Sequence, residues 1–189
     1  MKYFIGFSIL IFSGVSIADS NIGYHAYSKF GSLTVDEPDG DSPSDAYFSP
    51  GLLVTIPTGS RGSRFFSRVE LFDKELEGSS GEVRQDVSGV TFSTGYEKQW
   101  VFSKSVKPWL GAAINLNNHT FENRYVVDSD GFLVSEFDDR EETSLGITLS
   151  AINYFSVGKD FKIGLGGYSD IGFSDGFNTV GLNISLGYE

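Results

Sequence analysis

Residues 178–188 read Asn-Thr-Val-Gly-Leu-Asn-Ile-Ser-Leu-Gly-Tyr, and this stretch decides how the rest of the chain is interpreted. Its even-numbered positions from Val180 to Tyr188 are all apolar, whereas the odd-numbered positions are Thr, Gly, Asn and Ser. Successive side chains of a β-strand point to opposite faces of the strand. The alternation therefore predicts a strand with one apolar face and one small, polar face.

The same alternation recurs along the chain, and no segment repeats at the helical period. It occupies eight segments, at about 21–33, 46–57, 64–76, 84–98, 106–121, 143–154, 160–169 and 178–188. An even number of strands joined in sequence predicts an all-β fold, an eight-stranded antiparallel up-and-down barrel.

The chemistry of the two strand faces indicates which face points outward. In soluble barrels the outer face is rich in Lys, Glu and Arg, but here the polar face consists mostly of Gly, Ser, Thr and Asn. Such small side chains suit the crowded lumen of a narrow barrel. The apolar face is then predicted to contact lipid, which makes the barrel transmembrane. The alternative is a soluble periplasmic barrel whose apolar face points inward.

The connections between the segments support a membrane barrel because they alternate in charge. Three short turns, at 57–64, 99–107 and 155–159, carry the basic residues Arg61, Arg64, Lys104, Lys107 and Lys159. The other four connections are acidic, and two of them are clearly longer. Short basic turns and longer acidic loops predict that the turns face the periplasm and the loops face the cell exterior.

Aromatic residues cluster at both ends of the segments, as in the interfacial belts of membrane barrels. One predicted belt lies near the short turns and contains Phe65, Tyr96, Trp100, Phe102, Trp109, Tyr154, Phe155, Phe161 and Tyr188. The other lies near the loops and contains Phe30, Phe48, Phe121, Tyr125, Phe173 and Phe177.

The N-terminus has the pattern of a secretory signal. A basic start at Lys2 precedes an apolar run from Tyr3 to Val15 and a small-x-small site at 16–18. We expect residues 1–18 to be a cleaved signal peptide and residues 19–189 to be the barrel domain.

Composition excludes several classes of function. The 189 residues include 14 Lys and Arg against 25 Asp and Glu, a net charge of −11, which argues against a nucleic-acid partner. The absence of cysteine excludes disulfides, thiolate zinc sites and cysteine nucleophiles. We expect no metal site and no cofactor.

Two local motifs resemble a known family. Gly95-Tyr96-Glu97 followed by residues 107–112, Lys-Pro-Trp-Leu-Gly-Ala, resembles the turn into a central strand of the small eight-stranded outer-membrane barrels of the OmpA transmembrane-domain, OmpX and OmpW type. Residues 181–188 are similar to the C-terminal assembly signal of that family. The resemblance implies a Gram-negative outer-membrane location, recognition of residues 179–188 by the outer-membrane assembly machinery, and a role in adhesion, envelope integrity or restricted permeation.

Charged residues on the polar face form the first candidate site. Strand parity places Lys29, Arg68, Glu70, Glu97 and Lys162 in the lumen, where Glu70 is expected to pair with Arg68, Lys29 or Lys162. Since an eight-stranded barrel is only just wide enough for its side chains, we favour a structural plug. The alternative is a gating ion pair in a narrow channel for small solutes.

The longest connection contains the second candidate site. Asp130-Gly131 within the stretch Asp128-Ser129-Asp130-Gly131 predicts a two-residue hairpin turn. The flanking residues Tyr125, Val127, Phe132 and Val134 would then form an exposed apolar hairpin that binds an extracellular protein or surface ligand. The acidic loops can also bind divalent cations that bridge lipopolysaccharide, or form a solvated surface.

The predicted function is therefore non-enzymatic: a structural or surface-interaction role in the outer membrane, with the bilayer and lipopolysaccharide as its surroundings. A lipid A-modifying enzyme is the remaining alternative, because outer-membrane lipid A deacylases resemble this chain in size and use a His and a Ser on one strand. The segment from Asn117 to Phe121 contains His119 but has no serine two residues beyond it.

Overall fold

In the computed structural model, residues 22–38, 41–173 and 176–188 are described, and they form nine antiparallel strands. The predicted signal peptide lies outside the described residues. The strands are β1 (Gly23–Val35), β2 (Ser44–Pro57), β3 (Ser63–Leu76), β4 (Val83–Gln99), β5 (Trp109–Val127), β6 (Leu133–Phe137), β7 (Arg140–Ser156), β8 (Phe161–Gly172) and β9 (Phe177–Tyr188).

Eight of these strands close into a barrel. Each of them pairs with its neighbour along the chain, β5 pairs with β7, and β1 pairs with β9. The predicted eight-stranded up-and-down antiparallel barrel is therefore confirmed. The ninth strand, β6, pairs with β5 outside the barrel wall. Among the described residues, no helix has the length and apolar character needed to cross a bilayer.

The two ends of the barrel differ. The connections β2–β3, β4–β5 and β7–β8 lie at one end, here called the turn end. The connections β1–β2, β3–β4 and β8–β9 lie at the other, the loop end, together with β6. Both β1 and β9 reach the turn end, where Tyr24 is paired with Tyr188.

The orientation of the faces agrees with the alternation in the sequence. Outward apolar side chains such as Leu52, Ile114 and Leu182 are exposed by 67%, 62% and 67%. Inward side chains such as Ser93 and Thr148 are fully buried. This barrel therefore presents its apolar face outward, in contrast to a soluble barrel.

The turn end differs from the prediction at three residues. Arg64, assigned to a basic turn, belongs to β3 and is buried in the lumen, because it is two residues from the inward Phe66. Trp109 and Tyr154, assigned to an aromatic belt, point inward, and their rings lie 4.1 Å and 4.7 Å from the Arg64 guanidinium. All three lie inside the predicted segments, so the error came from assigning them to a turn or a belt by position and not by strand parity.

At the loop end the lumen is apolar, whereas the sequence predicted a polar interior there. Phe121 and Phe177, predicted for the outer aromatic belt, are buried inside the barrel. They belong to a cluster, here called the outer apolar cluster, formed by Leu33, Val35, Tyr47, Phe72, Leu76, Val87, Phe121 and Phe177. All eight continue the inward parity of their strands, and only Val35 and Phe177 lie outside the predicted segments. The error therefore came from assigning Phe121 and Phe177 to a belt by their position near the loops and not by strand parity.

The predicted hairpin is present, but its turn is longer than two residues. Val127 pairs with Leu133, so five residues connect β5 to β6. The Asp128 carboxylate accepts hydrogen bonds from the amides of Asp130 and Phe132, each at 2.9 Å, and Gly131 has a φ of 84°. The Asp128 cap and the left-handed Gly131 close this wider turn.

Candidate functional site

The centre of the lumen holds an ion network. The Lys29 ammonium lies 2.8 Å from a Glu70 carboxylate oxygen and 2.5 Å from Asp170 Oδ2. Arg68 Nε lies 3.0 Å from the other Glu70 oxygen, and Arg68 Nη2 lies 3.8 Å from Asp170 Oδ1. These four residues, here called the lumen network, carry two positive and two negative charges. The network is therefore electrically neutral.

Neutral side chains complete the hydrogen bonding of the lumen network. The hydroxyls of Thr148 and Thr179 donate to the Asp170 carboxylate at 2.5 Å and 2.7 Å. Arg68 donates to Tyr27 Oη at 3.0 Å and to Thr148 Oγ1 at 3.0 Å. Strands β1, β3, β7, β8 and β9 all contribute, so the network ties together most of the barrel circumference.

A second ion pair lies towards the turn end. Arg64 Nε is 2.8 Å from Glu97 Oε2, and both side chains are buried. The rings of Trp109 and Tyr154 cover the guanidinium, an arrangement that favours a desolvated cation. Glu97 was predicted for the lumen, and the structure places it there with Arg64 as its partner.

Lys162 has inward parity but lies at the turn end, where it is paired across the strands with Gly187 and Ser156. Glu70 lies nearer the middle of β3, opposite Thr91 and Gly51. The structure therefore brings Lys29, Arg68 and Glu70 together, as predicted, and separates Lys162 from them.

A third ionic layer closes the loop end. Glu37, in the β1–β2 loop, is fully buried at its side chain and lies 2.7 Å from Arg124 Nη2 and 2.9 Å from Arg140 Nη2. Gln85 Nε2 donates to the same carboxylate at 2.7 Å. We call Glu37, Gln85, Arg124 and Arg140 the mouth clasp. It joins the β1–β2 loop to β4, β5 and β7.

Ionic and apolar layers alternate along the lumen. From the turn end they are Arg64 with Glu97, an apolar cluster, the lumen network, the outer apolar cluster and the mouth clasp. The first of the two apolar clusters consists of Tyr27, Leu53, Phe66 and Ala113. The lumen is thus filled at each of these levels. The cavity lined by Phe66, Arg68 and Glu97 has a volume of only about 10 Å³.

The sequence pattern did not predict that Asp170 and Glu37 belong to the ion networks of the lumen. Asp170 lies one residue beyond the predicted limit of its strand, but it continues the inward parity of Lys162, Gly164, Gly166 and Tyr168 and could have been found by extending that segment. Glu37 lies in a loop, where no periodicity applies, so no sequence signal distinguished it from the other loop acids.

The two histidines lie at opposite ends of the lumen. His25 lies at the turn end beside Tyr154, with ring centroids 5.5 Å apart. His119 is fully buried at the loop end, where its ring centroid is 4.1 Å from that of Phe177 and 5.0 Å from that of Phe72. Within the described part of the chain, no group of three or more His, Asp or Glu side chains has a metal-binding arrangement.

The hairpin formed by β6 and the end of β5 is the second site. Phe132, Leu133 and Val134 are exposed by 70%, 61% and 60%. Tyr125 is half-buried, and Val127 is buried, so Val127 cannot contact a partner as predicted. The exposed apolar surface of the hairpin is therefore concentrated at residues 132–134.

These features define the class of the molecule: a closed eight-stranded antiparallel barrel with an outward apolar surface, a filled lumen and an external hairpin. No protein-family model and no curated protein matches the sequence.

Solved structures with a similar fold include Ail, the attachment invasion locus protein of Yersinia pestis, at 13% identity and a TM-score of 0.49, covering 88% of this chain and 97% of that one. The N-terminal barrel domain of Pseudomonas aeruginosa OprF is similar at 9% identity and a TM-score of 0.46, covering 88% and 96%.

Proposed function

We propose that this protein is a non-enzymatic barrel of the Gram-negative outer membrane whose loop end faces the cell exterior and binds partners through the hairpin. The observation that carries the proposal is the combination of an outward apolar face with a lumen filled by ion pairs. An outward apolar face is stable in lipid and costly in water.

The charge distribution supports the proposed orientation. The turns at 58–62 and 100–108 carry Arg61, Lys104 and Lys107, whereas the loop end carries most of the acidic residues. Bacterial outer-membrane barrels keep short turns in the periplasm and place longer connections outside. We further propose that residues 1–18 direct export. The outer-membrane assembly machinery would then recognise residues 179–188.

The filled lumen favours a structural and surface role over transport or catalysis. A solute would have to displace two ionic layers, two apolar clusters and the mouth clasp. His119, the histidine considered for lipid A chemistry, is enclosed by the rings of Phe72, Phe121 and Phe177. Its ring therefore has no access to a lipid substrate at the barrel surface.

The hairpin supports the surface-interaction role. Residues 132–134 expose three adjacent large apolar side chains at the loop end, where no lipid would cover them. Exposed apolar patches on stable proteins commonly mark interaction sites. The surrounding acidic loops also suit divalent cations that bridge lipopolysaccharide.

Cysteine labelling tests the location and orientation, because the chain has no cysteine of its own. A membrane-impermeant maleimide should label Phe132→Cys on intact cells, whereas Lys104→Cys at the turn end should react only after the outer membrane is permeabilised. The reverse pattern would contradict the orientation, and recovery of both variants in the soluble periplasmic fraction would contradict the membrane location.

Adhesion tests the interaction role. Cells that display the wild type should bind to at least one of a panel of immobilised extracellular proteins, and the variant Phe132→Ser/Leu133→Ser/Val134→Ser should lose this binding at equal surface expression. Equal adhesion by both would contradict a role of the hairpin.

A further inference from the structure

The β4–β5 turn, residues 100–108, carries a group of exposed apolar side chains at the turn end. Trp100, Val101 and Phe102 are each more than half exposed, and Val106 is about half exposed. Large apolar side chains are costly to leave in water. Their concentration in one short turn therefore indicates a surface that something else covers.

Hydrogen bonds hold the turn in a defined shape. The Trp100 amide donates to the Pro108 carbonyl at 2.8 Å. The amides of Phe102 and Ser103 both donate to the Val106 carbonyl at 3.1 Å. The rings of Trp100 and Phe102 are stacked, with centroids 6.5 Å apart and an angle of 27° between their planes. The two rings are thus presented together as one exposed apolar surface.

The turn lies against the lipid-facing side of the barrel wall. The Lys107 amide donates to Asn153 Oδ1 at 2.7 Å. Asn153 follows the inward Ile152 in β7, so its side chain is on the outer face of that strand. Trp100 continues the outward parity of β4, and Phe102 is stacked on it. The stacked rings are therefore on the side of the turn that adjoins the bilayer.

The same turn is cationic. Lys104 and Lys107 are exposed, and in the part of the chain that the structure describes neither belongs to an ion pair. The two neighbouring turns, at the β2–β3 and β7–β8 connections, add Arg61 and Lys159. In the sequence of these three turns, Asp160 is the one acidic residue. The turn end thus combines exposed aromatic rings with a positive charge that the protein does not neutralise.

This combination of side chains fits the surface of a membrane with anionic headgroups. Trp rings prefer the interface between hydrocarbon and headgroups. Segments that lie in this interface place Trp, Phe or Leu towards the lipid and Lys or Arg on the polar side. Each Lys or Arg close to an anionic leaflet strengthens the attraction. A neutral lipid would cover the rings of the turn but leave its two lysines without a counter-charge.

We propose that the β4–β5 turn binds anionic phospholipid headgroups in the leaflet at the turn end, which is the periplasmic leaflet in the proposed orientation. Trp100 and Phe102 enter the interface, and Lys104 and Lys107 contact the lipid phosphates. The lipid around this turn is then richer in anionic phospholipid than the bulk bilayer. This inference rests on the proposed function, since it requires the barrel to span a membrane.

The sequence has two tryptophans, and one of them can report on the lipid at the turn. In the variant Trp109→Phe, Trp100 is the remaining tryptophan. The protein is folded into vesicles of equal parts phosphatidylcholine and phosphatidylglycerol, of which one or the other has brominated acyl chains that quench tryptophan on contact. We expect stronger quenching by brominated phosphatidylglycerol, equivalent to a local enrichment of about threefold or more, because two lysines adjoin the ring. The preference should fall as salt is raised.

Matched neutralisations locate the site. In the Trp109→Phe protein, Lys104→Gln/Lys107→Gln should remove the preference for phosphatidylglycerol while both lipids still quench Trp100. Lys74→Gln neutralises a lysine near the loop end of β3 and should leave the preference unchanged. Equal quenching by the two lipids before neutralisation would overturn the proposal, as would an unchanged preference after it. If Trp109→Phe does not fold, the difference in quenching between the wild type and Trp100→Phe supplies the same measurement.

A tryptophan in the barrel wall separates this inference from the proposed function. Leu149→Trp, in a Trp100→Phe/Trp109→Phe background, should be quenched by either brominated lipid because position 149 faces hydrocarbon. If the lipids quench at position 149 but not at Trp100, and aqueous acrylamide quenches Trp100 instead, the turn faces water and suits a soluble partner. That result overturns the lipid contact and leaves the membrane barrel in place. Absence of quenching at position 149 would contradict the membrane location itself.

Discussion

Lys29 and Asp170 are 141 positions apart in the sequence, and their side chains are joined in the lumen by an ion pair of 2.5 Å. The same ammonium group also contacts Glu70 at 2.8 Å. One lysine therefore bridges two buried carboxylates from different strands, and Arg68, which also contacts both, supplies the second positive charge.

Removing Lys29 should destabilise the barrel strongly. Lys29→Met leaves Arg68 as the one cation of the lumen network beside Glu70 and Asp170, and breaking a buried pair of this kind typically costs about 3 to 5 kcal/mol. Urea unfolding in lipid vesicles, followed by the gel shift between folded and unfolded forms, measures the loss. Lys98→Met, at an exposed lysine of β4, is the control and should change stability by less than about 0.5 kcal/mol. Equal stability of the two variants would show that the lumen network is dispensable.

Arginine substitutions distinguish the membrane-facing surface from the hairpin. Leu149 and Val134 are exposed by 53% and 60%, but only Leu149 lies in the barrel wall. Leu149→Arg should cost about 2 to 4 kcal/mol in a bilayer, because its charge would lie in hydrocarbon. Val134→Arg should cost little, since its side chain lies in water. The same unfolding assay compares them, and tolerance of Arg at position 149 would contradict the transmembrane assignment.

The barrel should not conduct ions. Planar-bilayer recordings of the wild type are expected to show no resolvable current, because ionic and apolar layers fill the lumen. Glu70→Ala should also be silent, since the outer apolar cluster remains closed when the lumen network is disrupted. Stable current steps in Glu70→Ala that are absent from the wild type would instead identify Glu70 as a gate.

The mouth clasp should control the mobility of the β1–β2 loop. Glu37→Ala removes the carboxylate shared by Arg124 and Arg140, which leaves both guanidinium groups without their principal partner. We expect faster amide hydrogen exchange at Val35 and Asp36, whose amides donate to Pro43 and Gly176 in the native loop arrangement. Exchange in the middle of β8 should stay unchanged, and acceleration there as well would indicate global rather than local loosening.

Substitution of Gly181 tests how closely β1 and β9 pack, and Gly167 of β8 provides the control. A Cβ at Gly181 would lie 2.5 Å from Gly31 Cα, so Gly181→Ala should destabilise the barrel by about 1 to 3 kcal/mol through overpacking. At Gly167 the nearest atom to a Cβ is 3.6 Å away, and Gly167→Ala should be tolerated. Thermal unfolding of both variants checks the difference, and equal stability would contradict the close approach of β1 and β9.

The alternation in the sequence was sufficient to predict much of the lumen. Lys29, Arg68, Glu70 and Glu97 all point inward as predicted, because strand parity fixes the direction of a side chain once the strand is recognised. The errors lie near the strand ends, where residues were assigned to turns or belts by position. The same parity points these side chains inward, although four of them lie inside the predicted segments and Phe177 lies one residue outside: Arg64, Trp109, Tyr154, Phe121 and Phe177.

The sequence by itself thus determined the fold class, the number of barrel strands and the outward direction of the apolar face, since all three follow from a period of two residues. The tertiary structure decided the partners. Glu70 pairs with Lys29 and Arg68 and not with Lys162, and Asp170 joins the same network. Glu37 pairs with Arg124 and Arg140. Register and closure decide these pairs because they set which inward side chains lie at the same level of the lumen. Loop residues such as Glu37 have no period at all, so only their contacts reveal their role.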